Sequence, residues 1–127
     1  MNLEKVVFGF FILLALTLNF GFVYGTIDNP DHHAAWELFA AIVVNLIATV
    51  LKFGERTQIG AILLAASLVA DLQLIAAAVL WGVAVYGTGV GLTDMTMASI
   101  VSLASGALVA NVVSVTLLII ETVKIHR

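Results

Sequence analysis

The sequence has no cysteine and a single proline, and charged residues make up only 10% of it. Without cysteine there are no disulfides, no thiolate metal sites and no cysteine nucleophile. The one proline, Pro30, lies in a polar stretch, so we expect no proline kink within a helix. So few charges cannot cover the surface of a soluble domain of this length, and no basic patch indicates a nucleic acid partner.

The common motifs of catalysis are missing as well. The sequence contains no GxSxG, no HExxH and no glycine-rich loop that ends in Lys-Ser or Lys-Thr. These motifs carry the nucleophiles, metal ligands and phosphate cradles of the main enzyme classes. We therefore expect neither an enzyme nor a bound cofactor.

The sequence consists mainly of long hydrophobic stretches. Hydrophobic residues make up 62% of the 127 positions, and the mean hydropathy is +1.16. About 20 apolar residues suffice to cross a bilayer as a helix. The pattern predicts an all-α integral membrane protein, a single transmembrane domain over 1–127, with helices at about 6–25, 34–53, 58–86 and 95–123. The first stretch is too long for a signal-peptide core, so we expect it to be retained.

The charged residues predict how these helices cross the membrane. All five lysine and arginine residues fall near the two ends of the chain or at the second turn, and the other two turns carry acidic residues and no lysine or arginine. Because basic residues favour the cytoplasmic side, we expect both termini in the cytoplasm and a multi-pass protein of the cell (inner) membrane. The basic residues are Lys5, Lys52, Arg56, Lys124 and Arg127, and the acidic ones opposite are Asp28, Asp31, Glu37 and Asp94.

Two short patterns occur twice. The tetrapeptide at 23–26 recurs at 85–88, and the run that ends in Asn45 is similar to the run that ends in Asn111, with a glutamate following at the same distance. We interpret the chain as two tandem helical hairpins, about 1–56 and 57–127, related by an axis along the membrane normal. The alternative is chance similarity between apolar helices.

Five polar residues lie deep within the predicted helices and form the candidate ion pathway. An ionisable side chain at membrane depth is costly and marks a functional site by default. The alternatives are hydrogen bonds that hold helices together, for the amides, and a neutral carboxyl without a transport role, for the acid. The five are Asp71, Asn45, Asn111, Ser67 and Gln73, of which Ser67 shares a helix face with Asp71, and Gln73 faces elsewhere.

Small residues recur at every fourth position of the last helix. This spacing is typical of helices that approach closely, within a chain or between chains. It predicts a packing face, which includes Ala98, Ser102, Gly106, Ala110 and Ser114. The first helix is bulky and aromatic, and we expect it to be an anchor that faces lipid or a partner.

Two turns carry weaker signals. Asp28, Asp31, His32 and His33 offer carboxylate and imidazole groups that suit zinc, although a solvated turn that starts the second helix is the better interpretation. The segment 86–91 resembles the potassium-channel filter motif TVGYG in a different order, but it directly follows a spanning helix. A flexible glycine turn is the better interpretation.

Two functions fit these features. The first is transport of a monovalent cation such as potassium, by a channel, a transporter or a subunit of one, with Asp71 as the charged group. The alternative is a non-conducting accessory or scaffold subunit that docks a larger membrane protein through its small residues. Apart from the lipid bilayer, the expected partners are further copies of the chain or a larger membrane complex.

Overall fold

The structure, a computed structural model, describes residues 3–24, 35–53, 58–87 and 91–125, and the regular secondary structure of these residues is entirely helical. Its four long helices are α1 (Leu3–Val23), α2 (Ala35–Lys52), α3 (Gln58–Gly82) and α4 (Asp94–Ile125). One π-helical turn, Val83–Gly87, continues α3. All four helices are long and apolar enough to cross a membrane. The predicted number of apolar helices is thereby confirmed, and it indicates a membrane protein.

Local chemistry determines where several helices begin and end. The Thr93 hydroxyl accepts the backbone N–H three residues later at 3.1 Å, which caps the start of α4. Glu37 in the first turn of α2 and Lys52 in its last turn both match the helix dipole. After the π-helical turn, the Gly91 N–H donates to Ala84 O at 2.9 Å, and Gly91 has a φ of 81°, which suits glycine alone.

Neighbouring helices run antiparallel around a four-cornered bundle, in which α1 and α3 each contact α2 and α4. Lys5 near the start of α1 donates to Glu121 near the end of α4 at 2.6 Å. The Lys52 ammonium lies 4.4 Å from the centre of the Phe8 ring. These residues define one end of the bundle, which we call the charged end. The opposite, aromatic end carries Tyr24, Trp36, Trp81 and Tyr86.

One face of α1 packs into the bundle, so the expectation of a plain lipid anchor is wrong for that face. Its buried positions recur every three or four residues, which forms a continuous stripe along the helix. Phe10 and Phe20 point away from the bundle. The buried stripe consists of Phe8, Ile12, Ala15, Asn19 and Phe22.

The described residues form two separate apolar clusters in the interior. The large cluster lies towards the aromatic end and includes Phe22, Leu38, Leu74, Met97 and Ile100. The small cluster lies towards the charged end and consists of Phe8, Ile12, Ala48 and Leu63, with half-buried neighbours from α1, α3 and α4. Only 28–33% of each membrane-length window is buried in the bundle. The remaining surface is largely apolar, as a surface in contact with lipid would be.

Candidate functional site: a buried polar layer

Six polar side chains lie at the boundary between the two apolar clusters. We call them the polar layer. Each is at most 5% exposed, although none lies near an end of the bundle. Polar groups in such surroundings are costly unless they find hydrogen-bond partners. The polar layer consists of Asn45 and Thr49 from α2, Ser67 and Asp71 from α3, and Asn111 and Ser114 from α4.

One hydrogen bond crosses between helices within the polar layer. It joins Thr49 Oγ1 and Asp71 Oδ2 at 2.5 Å and so links α2 to α3. Thr49 Oγ1 also lies 2.9 Å from the backbone carbonyl of Asn45, one turn earlier. Asn45 in turn donates its Nδ2 to the carbonyl of Ala41 at 3.0 Å. The amide nitrogen of Asn45 therefore has a partner within its own helix, whereas its Oδ1 has no hydrogen-bond partner among the described residues.

Most other polar atoms of the layer have no hydrogen-bond partner among the described residues. They include one oxygen each from Asn45 and Asp71, and both amide atoms of Asn111. The hydroxyls of Ser67 and Ser114 are unpartnered as well. Native structures leave few buried polar atoms unsatisfied, so several at one level require an explanation. Most of these unpartnered atoms are oxygens. Oxygen is the ligand atom that hard cations prefer.

The helix opposite, α1, contributes a small residue at this level. α1 meets α2 where Phe8 lies under Lys52, and it meets α4 where Gly9 faces Leu118. Counting along the antiparallel helices from these contacts places Ala15 level with Asn45 and Asn111. Ala15 is fully buried and belongs to neither apolar cluster. Asn45 and Asn111 are therefore level with a small residue of α1 rather than with a bulky one.

One turn further along α1, Asn19 is fully paired. In the amide orientation that satisfies both atoms, its nitrogen donates to Ala104 O at 3.0 Å and its oxygen accepts from Leu108 N at 3.0 Å. Both partners are backbone groups of α4, so Asn19 fastens α1 to α4. This is the helix-joining role that the sequence allowed for intramembrane amides, and here it belongs to a residue outside the predicted site.

Gln73 lies apart from the polar layer, in the contact between α3 and α4. A Cβ atom added to Gly106 would lie 2.6–2.9 Å from the side-chain amide of Gln73. Gln73 is therefore packed directly against the Gly106 backbone. Asp71 bonds to α2 instead. The two residues, predicted together as one site, face different neighbours, because two helical positions separate side chains by about 200°.

We expect Gly106→Ala to destabilise the bundle by about 1 kcal/mol, the low end of the usual cost of overpacking, because the group that must move is the end of a flexible side chain. The new methyl group would force Gln73 out of its place. Gln73→Ala in the same protein should restore most of the loss. Thermal unfolding in detergent, followed by circular dichroism, measures both effects.

Gly82→Ala is the matched control, because a Cβ there meets nothing within 4 Å. It should be neutral or slightly stabilising in a helix. Equal losses at the two glycines would show that Gly106 is not a close-contact position.

The fourfold ladder of small residues does not form a single contact face within the chain. Ser102 is exposed, Ala98 and Gly106 are partly buried, and Ala110 and Ser114 are buried. Each step of four residues turns the helix about 40° past a full turn, so the ladder winds around α4. It starts near the outer surface and ends in the polar layer.

The predicted features of the turns fall mostly outside the described residues. Asp28, Asp31, His32 and His33 all do so. Among the residues that are described, no group of three histidine, aspartate or glutamate side chains could hold a metal. Of the filter-like segment 86–91, the structure describes Tyr86 and Gly87, which end the π-helical turn, and Gly91.

The comparison with known families adds one assignment. The model of DUF6394, a family of unknown function, matches residues 32–122, well over half of the chain. The protein belongs to this family. No curated protein and no solved structure matches the chain. All six residues of the polar layer lie in the part that the DUF6394 model matches, whereas Ala15 and Asn19 of α1 precede it.

The sequence of this DUF6394 protein did not predict three features of the site and its surroundings. They are Thr49 as the partner of Asp71, Ala15 as the small residue level with the amides, and, outside the polar layer, Asn19 as the link to α4. Thr49 shares a face with Asn45, which was a usable signal. Nothing in the sequence of α1 distinguishes Ala15 from its apolar neighbours.

Proposed function

We propose that the polar layer binds a monovalent cation and that the protein, alone or as a subunit, moves this cation across the membrane. The supporting observation is the set of buried oxygens of the polar layer that have no partner among the described residues, one of which belongs to Asp71. A single carboxylate balances a single positive charge. Amide and hydroxyl oxygens from Asn45, Asn111 and Ser67 would replace part of the ion's water shell.

The two apolar clusters favour a transporter over an open channel. One closes the layer from the aromatic end and the other from the charged end. A cation can then reach Asp71 only if helices move, as they do in alternating access. Four helices are also too few to enclose a wide pore, so we expect a homo-oligomer or a larger complex.

We further propose that both termini are cytoplasmic, in the cell (inner) membrane. The charged end carries the basic residues Lys5 and Lys52, which supports this orientation under the positive-inside rule. Asn45 and Asn111 are both level with Ala15. This supports the interpretation that the chain consists of two tandem hairpins in which these two asparagines are equivalent.

The accessory or scaffold function remains the second candidate, and the closure of the polar layer at both ends favours it. A scaffold needs no route to Asp71. Its docking surface would not be Gly106, which is occupied by Gln73, but the exposed part of the ladder at Ser102. Under this alternative, a companion chain should copurify with the protein, and Ser102→Leu should release it.

Flux measurements on purified protein in lipid vesicles test the transport proposal. Vesicles loaded with sodium, potassium or lithium should exchange at least one of these ions faster than protein-free vesicles. Because there is no native cysteine, a cysteine at position 67, one turn from Asp71 on the same helix face, can be probed alone in a protein that keeps Asp71. It should react with a small cationic reagent only when transport is active. Absence of flux for all three ions, with a companion chain bound, would favour the scaffold.

A further inference from the structure

The hydroxyl of Thr49 has more contacts than it has hydrogens. Its oxygen lies 2.5 Å from Asp71 Oδ2 and 2.9 Å from the Asn45 carbonyl oxygen. A threonine hydroxyl donates one hydrogen, and a backbone carbonyl can only accept. If Asp71 were ionised, two acceptors would compete for this one hydrogen.

A proton on Asp71 resolves the competition. The acid O–H then donates to Thr49 Oγ1, and Thr49 donates its own hydrogen to the Asn45 carbonyl. Each contact has one donor and one acceptor, as a directed chain of hydrogen bonds requires. No rearrangement of side chains is needed.

The charges around Asp71 agree with this assignment. Asp71 is 5% exposed, its Oδ1 has no partner among the described residues, and none of the basic side chains described there forms an ion pair with it. Lys52 on α2 is one turn beyond Thr49, and its ammonium lies over Phe8 of α1. The other charged groups described lie nearer the two ends: Lys5 of α1 pairs with Glu121 of α4, and Glu37 of α2 and Asp94 of α4 lie towards the aromatic end. An unpaired buried carboxylate is costly, and a bound proton removes its charge.

We infer that Asp71 and Thr49 form a proton-binding site, and that the proton and the monovalent cation occupy Asp71 in turn. The proton follows from the hydrogen count, and the exchange rests on the proposed function. On exchange, the carboxyl O–H bond breaks, the proton leaves to water, and the carboxylate takes the cation. The net charge of the layer is the same before and after, so one proton should move for each cation, in the opposite direction.

Infrared spectroscopy of the whole protein in lipid tests the proton site. A protonated carboxyl has a carbonyl stretch that a carboxylate lacks. The wild type should show this band near neutral pH, Asp71→Asn should lack it, and Asp94→Asn, which removes an exposed aspartate, should keep it. Thr49→Val should shift the band, because the acid loses its hydrogen-bond acceptor.

Isotopic labelling makes the test independent of whether Asp71→Asn folds. Wild-type protein grown with carbon-13 aspartate should show the same band at a lower frequency. If the labelled and unlabelled wild type have no such band near neutral pH, the inference is wrong. That result combined with cation flux would leave the proposed function standing.

Titration with salt separates the two proposals. Addition of sodium, potassium or lithium chloride at fixed pH should remove the band in a saturable way for the transported ion, with release of one proton per cation to an indicator dye. A band that no cation affects would support the proton site and contradict exchange and the proposed cation site.

Discussion

Asp71→Asn should abolish cation flux in reconstituted vesicles while the bundle still assembles. The substitution keeps the size of the side chain but removes the charge that balances the cation and the proton that would exchange with it. A hydrogen bond to a charged group contributes about 1.5–3 kcal/mol, and the contact of a buried carboxylate with the cation should contribute at least as much. Its loss corresponds to about 10- to 150-fold weaker cation binding. Ion flux into vesicles, at matched protein content, measures the effect.

The same change at Asp94 is the control. Asp94 is exposed at the first turn of α4, so Asp94→Asn removes an equal charge far from the polar layer. Flux should stay at the wild-type level. Size-exclusion chromatography and circular dichroism would show that both variants are assembled. Unchanged flux in an assembled Asp71→Asn protein would exclude this residue from the mechanism.

Asn111→Leu should make the protein more stable and at the same time prevent cation binding. Both amide atoms of Asn111 are buried without a partner among the described residues. An unsatisfied buried polar group costs about 1–3 kcal/mol, and leucine, which is larger but has the same branched shape, has no polar atom to satisfy. Functional sites commonly retain such costs, so greater stability should accompany lost function.

Asn19→Leu is the matched comparison, because it makes the same chemical change at an asparagine that is fully paired. Asn19 holds two backbone groups of α4, each at 3.0 Å. Hydrogen bonds between membrane helices contribute about 0.6–2 kcal/mol, so this variant should lose about that much stability. Thermal unfolding in detergent compares the two. If Asn111→Leu is as destabilising as Asn19→Leu, the polar layer is a structural network and not a binding site.

The different roles of the two asparagines could not be derived from the sequence. Both are amides deep in an apolar stretch, and each is equally able to join helices or to line a site. The distinction depends on which backbone groups lie opposite. Asn19 lies against backbone groups of α4 that it can pair with. Asn111 is level with Ala15, whose side chain offers no hydrogen-bonding group.

The small-residue ladder shows the same limit. A spacing of four residues indicates close packing, but the buried positions of a bundle helix alternate between steps of three and four residues. The buried positions of α4 include Met97, Ile100, Ala104, Ala107 and Asn111, which step alternately by three and four. The ladder crosses this stripe at an angle, so Ser102 lies on the surface while Ala110 and Ser114 are buried.

The sequence by itself determined the helices, because crossing a bilayer requires a length of apolar chain and internal backbone hydrogen bonds, and both are local properties. It also determined that Asp71, Asn45 and Asn111 lie far from the helix ends. Only the tertiary structure decided which of these groups meet. The partner of Asp71 is Thr49, and that of Gln73 is Gly106, because helix order and rotation about each axis bring distant segments together. These rotations depend on the packing of the whole bundle, which no single stretch of sequence contains.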